Sequence, residues 1–221
     1  MCGRFVLEHS PEQLMKLYRL SSAPDLSQRY NIAPSQQVAV VRQQNGGDRE
    51  LTSLQWGLIP SWSKDSAIGY KLINARSETV HEKPSFKQAF HARRCVIPAS
   101  GFYEWEKRGK EKIPHYIHLR DGDIMSLAGL WERWKSPEGE ELETCTILTT
   151  AANSLVIRLH DRMPVLLHRA EFDIWLDREN DDVNRITELF QPYPSYQLEE
   201  YVVTRDVNSP RNDSPDCIIP I

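Results

Sequence analysis

Cys2, which directly follows Met1, is the residue of this chain with the most distinctive chemistry of its own. An initiator Met is normally removed when a residue as small as Cys follows, and its removal would leave Cys2 with a free α-amine. That amine titrates at about 7.7–8.0 and the thiol at about 8.5, so both are partly unprotonated at neutral pH. The pair is a 1,2-aminothiol, which can form a Schiff base with an aldehyde and then close a five-membered thiazolidine ring. No internal cysteine can do this.

The competing interpretation of Cys2 is a small buried hydrophobic residue, which is the usual role of an isolated cysteine. Six other segments carry polar residues beside Pro, Gly or Trp and match neither a helix nor a strand. Each puts an amide, carboxylate, imidazole or guanidinium at the end of an element, where functional side chains are often mounted. The segments are residues 29–34, 56–62, 73–79, 101–105, 160–164 and 207–211.

Met1-Cys2-Gly3-Arg4-Phe5, followed by these segments in this order, closely resembles the SOS-response-associated peptidase (SRAP) family over essentially the whole chain. The resemblance implies a sensor and shield of abasic sites in single-stranded DNA. In that function, Cys2 without Met1 captures the ring-opened sugar aldehyde as a thiazolidine, which is a covalent protein–DNA linkage. The aldehyde chemistry of the aminothiol agrees with this expectation, while the identity of the aldehyde comes from the resemblance alone.

The resemblance assigns three catalytic partners to Cys2, namely Asn74, Glu104 and His160. Glu104 lies between Tyr103 and Trp105, where partial desolvation would raise its pKa and suit it to proton transfer. His160 would exchange protons with the sugar hydroxyl and the Schiff base, and the Asn74 amide would orient the amine or the opened sugar. Without the resemblance, these residues are as readily a solvent-facing carboxylate, a structural histidine and a turn-forming asparagine.

The family's DNA-binding role requires phosphate contacts and surfaces for bases. Arginine binds phosphate in a forked geometry, so the arginines inside the motifs are the natural candidates, whereas Arg93, Arg94 and Arg211 are weaker ones. Polar and aromatic residues of the same segments could stack on flanking bases or separate the strands, although a tryptophan is as often a core residue. The predicted DNA-binding residues are Arg4, Arg76, Arg162, Asn31, Pro34, Trp56 and Trp62.

Hydrophobic patterning predicts the elements that carry these residues. Residues 10–20 read as a helix with Ser10 as N-cap and Pro11 at its first position. Strands are predicted at 37–41 and 51–56 around the Asn45-Gly46-Gly47-Asp48 turn, at 115–119 and 124–130 as a second hairpin across 120–123, at 145–150 and at 201–203. Helices are predicted at 169–175 and 183–190. The expected fold is α+β, one domain over 1–221 with a largely antiparallel, barrel-like sheet and short flanking helices.

Composition limits the remaining possibilities. A hydrophobic content of 40% and a charged content of 26% are ordinary for a globular protein, and no apolar run is long enough to span a membrane. The net charge of −4 argues against wholesale binding to nucleic acid but leaves room for a local basic groove. The four cysteines form no C-x-x-C pair, so no metal site, cofactor or disulfide framework is expected. We expect a cytoplasmic monomer that joins the nucleoid when bound to DNA.

Two further functions stay open on the sequence alone. Cys2 could attack a peptide carbonyl, which would make the protein a cysteine-type peptidase or a self-processing hydrolase. Autoproteolytic, peptidase and lyase-type activities are also expected as companions of covalent abasic-site capture. Alternatively, the protein could be a non-covalent single-strand-binding module in which Cys2 has no chemical role.

Overall fold

Two β-sheets organise residues 2–22, 25–44 and 47–221, which are the parts of the chain described by the computed structural model. The strands are β1 Phe5–Leu7, β2 Arg29–Ile32, β3 Gln37–Gln43, β4 Arg49–Trp56, β5 Asn74–Arg76, β6 Arg94–Ala99, β7 Gly101–Arg108, β8 Glu111–Leu119, β9 Met125–Lys135, β10 Glu141–Ala151, β11 Arg162–Pro164 and β12 Leu198–Val202. The α-helices are α1 Pro11–Tyr18, α2 Lys87–Ala92, α3 Phe172–Leu176 and α4 Val183–Thr187. Short 3-10 turns connect several of these elements.

The larger sheet closes on itself into a barrel. Its strands follow the order β10–β4–β3–β6–β9, and β9 pairs again with β10. The run Cys145-Thr-Ile-Leu-Thr-Thr150 of β10 is rich in β-branched residues and is buried along its whole length. Such residues favour a buried strand, and β10 pairs with neighbours on both of its edges. β10 also holds β5 in parallel register and β11 in antiparallel register at its carboxyl end. The predicted α+β fold with a largely antiparallel, barrel-like sheet is confirmed.

The second sheet is open and antiparallel, with the order β12–β8–β7–β1–β2. Gly101 lets β1, β7 and β8 approach closely, because a Cβ added there would lie 2.5 Å from the Ile117 carbonyl oxygen. One face of the sheet, which includes Phe102, joins the main core, while Tyr103 on the other face packs in a smaller cluster with Val207. This central place of β1 holds the amino-terminal segment between two neighbouring strands.

Local signals predicted several elements correctly. Helix α1 begins after Ser10, whose side chain accepts a hydrogen bond from the Gln13 N–H in a complete capping box. The strands predicted at 37–41, 51–56, 145–150 and 201–203 lie in or overlap β3, β4, β10 and β12. Both late helices are present as short α-helices joined to 3-10 turns. Asn45 and Gly46 of the predicted turn lie outside the described residues.

The predicted hairpin between 115–119 and 124–130 is wrong. β8 pairs with β7 and β12 in the open sheet, whereas β9 pairs with β6 and β10 in the barrel. The turn at 120–123 therefore carries the chain from one sheet to the other, and the hairpin partner of β8 is β7. Turn chemistry can mark a chain reversal, but only packing decides which strands pair across it. No helix among the described residues is long and apolar enough to cross a membrane.

Candidate active site

Cys2 lies beside strand β7. β1 pairs with β7 at Phe5 and Phe102, and the Tyr103 N–H donates to the Arg4 carbonyl oxygen at 3.0 Å. The residues before β1 therefore run alongside the stretch of β7 that contains Glu104. The side chain of Cys2 is 0% exposed, and this burial, followed by the negative charge of Glu104, raises the pKa of its thiol to about 12. The thiol is consequently protonated at neutral pH and needs a base before it can react as a thiolate.

Glu104 is a buried carboxyl group, 4% exposed, on β7. Burial raises its pKa from an ordinary value of 4.5 to about 7. A carboxyl group that titrates near neutrality populates both protonation states, so it can accept a proton in one step and return it in another. Its negative charge contributes to the raised pKa of the Cys2 thiol.

Asn74 joins the Cys2 segment to the barrel. It opens β5, which is held in parallel register against β10 with Asn74 opposite Ile147. Its Nδ2 donates to the Cys2 carbonyl oxygen at 2.9 Å. Its Oδ1 is buried and accepts no hydrogen bond from the described residues. A buried acceptor without a donor is uncommon in folded proteins, and this one belongs to the amide that touches Cys2.

His160 lies two residues before β11, which pairs with the other edge of β10. Its Nδ1 accepts the Arg162 backbone N–H at 3.0 Å and also lies 2.8 Å from Asp161 Oδ1. Burial lowers its pKa from 6.5, so the neutral ring dominates at pH 7.

A cavity of about 830 Å³, open to solvent, brings Glu104 and His160 together. Three observations connect the four predicted catalytic residues. Asn74 donates to the Cys2 carbonyl oxygen, Glu104 lies on the strand that runs beside the Cys2 segment, and Glu104 and His160 line one cavity. The arrangement offers a thiol, a proton-transferring carboxyl group and a neutral imidazole. Among the described residues, no three His, Cys, Asp or Glu side chains are grouped so that they could hold a metal ion. The other residues lining the cavity are Trp105, Lys107, Lys112, Ile157, Arg158, Leu159, Asp161 and Asn208.

The three predicted phosphate-binding arginines have different surroundings. Arg76 is exposed at the end of β5, and no carboxylate of the described residues forms an ion pair with it. Arg162 instead donates to both carboxylate oxygens of Glu78, at 2.5 and 2.7 Å, and to the Thr149 carbonyl oxygen. Arg4 donates to Asn31 Oδ1 and to the Val207 carbonyl oxygen, each at 2.7 Å. Of the three, only Arg76 presents its guanidinium to solvent without a protein partner in the described chain.

The residues predicted to contact bases also divide into buried and exposed ones. Asn31 and Trp56 are 0% exposed, and Trp56 Nε1 donates to the Ile73 carbonyl oxygen at 2.8 Å. Neither side chain offers a face to a base in this structure, because both are enclosed by the fold. Pro34 is half-buried in a turn, whereas Trp62 is 59% exposed. The stacking role of Pro34 and Trp62 stays a prediction.

Of the weaker arginine candidates, Arg93 and Arg94 are bound within the fold, and Arg211 is not among the residues that line the cavity. Arg94 is 2% exposed and donates to backbone carbonyl oxygens, including that of Trp175 at 2.7 Å, and Arg93 pairs with Glu132 at 2.8 Å. Sequence reasoning missed Lys107 and Lys112, which line the cavity. Their only signal in the sequence is a run of alternating charges on both sides of Gly109, which is also the pattern of a solvated hairpin.

Comparison with known proteins identifies the class to which this fold and site belong. The model of the SOS response associated peptidase (SRAP) family matches residues 1–210. The chain therefore belongs to the SRAP family, and the resemblance predicted from its motifs is confirmed.

Individual relatives agree with this assignment. The abasic site processing protein YoqW of Bacillus subtilis is 43% identical over 222 residues, covering 99% of each chain. The abasic site processing protein HMCES of Gallus gallus is 34% identical over 201 residues, covering 80% of this chain and 59% of the relative. A crystal structure of a Bacteroides thetaiotaomicron protein superposes with a TM-score of 0.90 at 28% identity and covers all of both chains.

Proposed function

We propose that this protein processes abasic sites in DNA, by covalent capture of the sugar aldehyde in single-stranded DNA through Cys2. The observation that carries the proposal is the hydrogen bond from Asn74 to Cys2, with the buried Glu104 on the neighbouring strand, in a chain whose relatives are named abasic site processing proteins. The carboxyl group with a pKa of about 7 beside a buried thiol is the feature that distinguishes this cysteine from a core residue.

The reaction begins with hydrolysis of the Met1–Cys2 peptide bond, which frees the Cys2 amine. The amine adds to the C1′ aldehyde of the ring-opened abasic sugar, and the carbinolamine loses one water to form an imine. The thiol then adds to the imine carbon, its proton passes to the nitrogen, and the thiazolidine ring closes. One aminothiol and one aldehyde thus yield one thiazolidine and one water, without any oxidant or reductant.

Each neighbouring side chain has a task in this sequence. Glu104 takes a proton from the thiol or the ammonium and returns it when water leaves, since its pKa of about 7 permits both steps. His160 lines the same cavity as Glu104 and can exchange a proton with the sugar oxygen while the ring opens. Asn74 holds the Cys2 carbonyl with Nδ2 and offers Oδ1 to an N–H of the attacking amine or a hydroxyl of the sugar.

The test is a denaturing gel with a single-stranded oligonucleotide that contains one abasic site, using protein whose intact mass shows that Met1 is absent. We expect a slowly migrating adduct whose mass equals protein plus DNA minus one water. Cys2→Ala should lose it, whereas Cys217→Ala, which alters another buried free cysteine, should keep it. Cys2→Ser retains the amine, so its imine should become gel-stable only after borohydride reduction.

Two outcomes would overturn the proposal. One is a Met-free wild-type protein that forms no adduct, and the other is an adduct that persists in Cys2→Ala. Cleavage of a peptide substrate without DNA, lost in Cys2→Ala, would favour a peptidase instead. DNA binding that is unaltered in Cys2→Ala, with no adduct in the wild type, would favour a non-covalent binding module.

A further inference from the structure

Two lysines that stand directly opposite each other line the cavity of Glu104 and His160. Lys107 on β7 and Lys112 on β8 are register partners, so their side chains lie on the same face of the hairpin. Like charges in this arrangement repel and destabilise a strand pair. Neither ammonium forms an ion pair within the described chain, and both side chains are exposed. The two positive charges therefore have no ion-pair partner in the described chain, although the acidic residues Glu104 and Asp161 line the same cavity.

Two acidic residues of the same hairpin are already engaged by arginines. Glu106 pairs with Arg108 at 3.0 Å, and Glu111 pairs with Arg205 at 3.3 Å. These two carboxylates form no ion pair with either lysine, and the third acidic residue of the hairpin, Glu104, is buried in the cavity. A negatively charged group from outside the protein would relieve the repulsion between them.

A third cation reaches this cavity from the segment between β10 and β11. Arg158 lines it, and its guanidinium is anchored by Nε to the Leu155 carbonyl oxygen at 3.2 Å and by Nη2 to Glu200 at 2.7 Å. The other carboxylate oxygen of Glu200 lies 2.6 Å from His115 Nδ1, so the anchoring carboxylate is itself held. Nη1 of Arg158 takes no part in these bonds and can donate to a ligand.

We propose that Lys107 and Lys112, together with Arg158, bind a backbone phosphate of the DNA strand next to the abasic sugar. This inference rests on the proposed function and adds a part of the substrate to it. The cations line the cavity that holds Glu104 and His160, so a sugar at those groups would bring its adjoining phosphate within their reach. The charge of Lys107 acts on the His160 ring, although burial is the larger cause of the lowered pKa of His160.

The experiment measures binding of a single-stranded oligonucleotide that carries a tetrahydrofuran abasic analogue, which cannot open to an aldehyde. Its affinity is followed by fluorescence anisotropy over a range of salt concentrations. For the double variant Lys107→Ala/Lys112→Ala we expect binding about tenfold weaker at 0.1 M salt, because the phosphate loses its counter-charges. The slope of log K against log salt should fall by about 0.7 for each phosphate that the variant no longer neutralises.

Lys110→Ala is the matched control, since it removes one lysine from the same hairpin without removing a cavity residue. It should change the affinity less than twofold. Lys107→Arg/Lys112→Arg should restore binding, which separates the loss of charge from a folding defect. A double alanine variant with the affinity and salt slope of Lys110→Ala would overturn the proposal.

Truncated oligonucleotides locate the phosphate that the lysines bind. Two oligonucleotides are compared, one that ends at the analogue on its 5′ side and one that ends there on its 3′ side. If the lysines bind the phosphate next to the lesion, the wild type should bind one of these strands no more tightly than the double variant does, and should bind the other more tightly. Equal advantage with both truncations would indicate general electrostatic attraction and contradict the proposal. Cross-linking of the wild type is measured in parallel at saturating abasic DNA. If the wild type binds the analogue with the expected dependence on the lysines but forms no adduct, the proposed function is contradicted and the phosphate site is not.

Discussion

The sequence predicts that Asn31 and Asn74 both serve DNA binding or catalysis, yet the fold treats the two residues differently. Asn31 Nδ2 donates to the carbonyl oxygens of Val207, Ser209 and Asn212, at 3.1, 3.0 and 2.6 Å. Its Oδ1 accepts from Arg4, so both ends of this buried amide have partners. Asn74 uses only its Nδ2, and its Oδ1 is left without a donor in the described chain.

The difference separates a structural polar cluster from a reactive one. A buried amide with all its hydrogen bonds made stabilises the fold by connecting distant segments, here β2 and the loop after residue 206. A buried acceptor without a donor costs stability and is retained where a substrate supplies the missing partner. We call Arg4, Asn31 and the three carbonyl groups the Asn31 cluster, and Cys2, Asn74 and Glu104 the Asn74 cluster.

The carboxyl group of the Asn74 cluster strengthens this contrast. Glu104 is buried and its pKa stands at about 7, so above that pH the folded protein carries a costly negative charge. The Asn31 cluster contains the half-buried cation Arg4, whose Nη1 donates to Asn31 and Val207, while its buried Nε has no partner in the described chain. The Asn31 amide thus has partners at both ends, whereas the Asn74 cluster holds an amide oxygen without a donor and a carboxyl group whose ionisation is costly.

The largest effect is expected for Glu104→Gln. We expect the rate of adduct formation to fall about 10²- to 10⁴-fold, because the variant cannot transfer a proton. The free energy of unfolding at pH 8 should instead rise by up to about 3 kcal/mol, since the folded protein no longer holds a buried carboxylate. The checks are single-turnover cross-linking and urea unfolding at pH 8.

The sign of the pH effect provides the control for Glu104→Gln. The folded pKa of about 7 lies above the ordinary 4.5, so the wild type gains stability relative to the variant as pH falls from above 7 toward 4.5. The stabilisation by Glu104→Gln should therefore shrink toward zero near the lower value. If Glu104→Gln had wild-type stability at pH 8, or formed the adduct at the wild-type rate, the contrast between the Asn31 and Asn74 clusters would be contradicted.

Asn31→Leu should produce the next largest effect, and it concerns stability. Removing the amide takes one hydrogen bond each from the half-buried Arg4 and from three carbonyl oxygens, for an expected loss of about 3 kcal/mol. For a chain of this length that corresponds to a melting temperature about 6–12 °C lower. Thermal unfolding followed by circular dichroism measures it. If Asn74→Leu caused an equal loss, the distinction between the two asparagines would not hold.

Asn74→Leu should impair the reaction rather than the fold. We expect adduct formation about 10- to 100-fold slower, because the Cys2 carbonyl loses its donor and the amine or sugar loses the Oδ1 acceptor. Stability should change by less than about 1 kcal/mol, since the substitution also removes an unsatisfied buried atom. The rate of adduct formation and the free energy of unfolding are measured for the same variant. An unchanged rate would refute the proposed role of Asn74 Oδ1.

Arg76→Ala and Arg162→Ala extend the comparison to the surface, with the smallest effects. Arg76 is exposed and unpaired within the described chain, so its removal should weaken single-strand binding a few-fold and lower the salt slope by about 0.7. Arg162→Ala should reduce stability by about 1 kcal/mol, because Glu78 and Thr149 would lack their donor, with a smaller effect on binding. Salt titrations of DNA binding by both variants test this expectation. If Arg162→Ala weakened binding more than Arg76→Ala, the comparison would be contradicted.

Local sequence signals predicted single helices and strands, but not which strands pair. The Ser10 cap identified helix α1, and the β-branched run at 145–150 identified β10. The pairing of β8 with β7 rather than with β9 could not be predicted, because it depends on which hydrophobic faces meet in three dimensions. The run of charges at 106–112 likewise reveals nothing about a cavity until the hairpin is placed beside His160.

The sequence by itself determined the chemistry available at the amino terminus. An aminothiol at residue 2, conditional on loss of Met1, is a property of covalent structure and needs no fold. Only the tertiary structure decided which polar residues surround it and in what state. Asn74 reaches Cys2 across 72 residues, and burial among distant strands raises the pKa of Glu104. Arg4 and Arg162 look like Arg76 in the sequence, but burial and pairing are determined by residues far along the chain, so only the fold distinguishes a bound guanidinium from a free one.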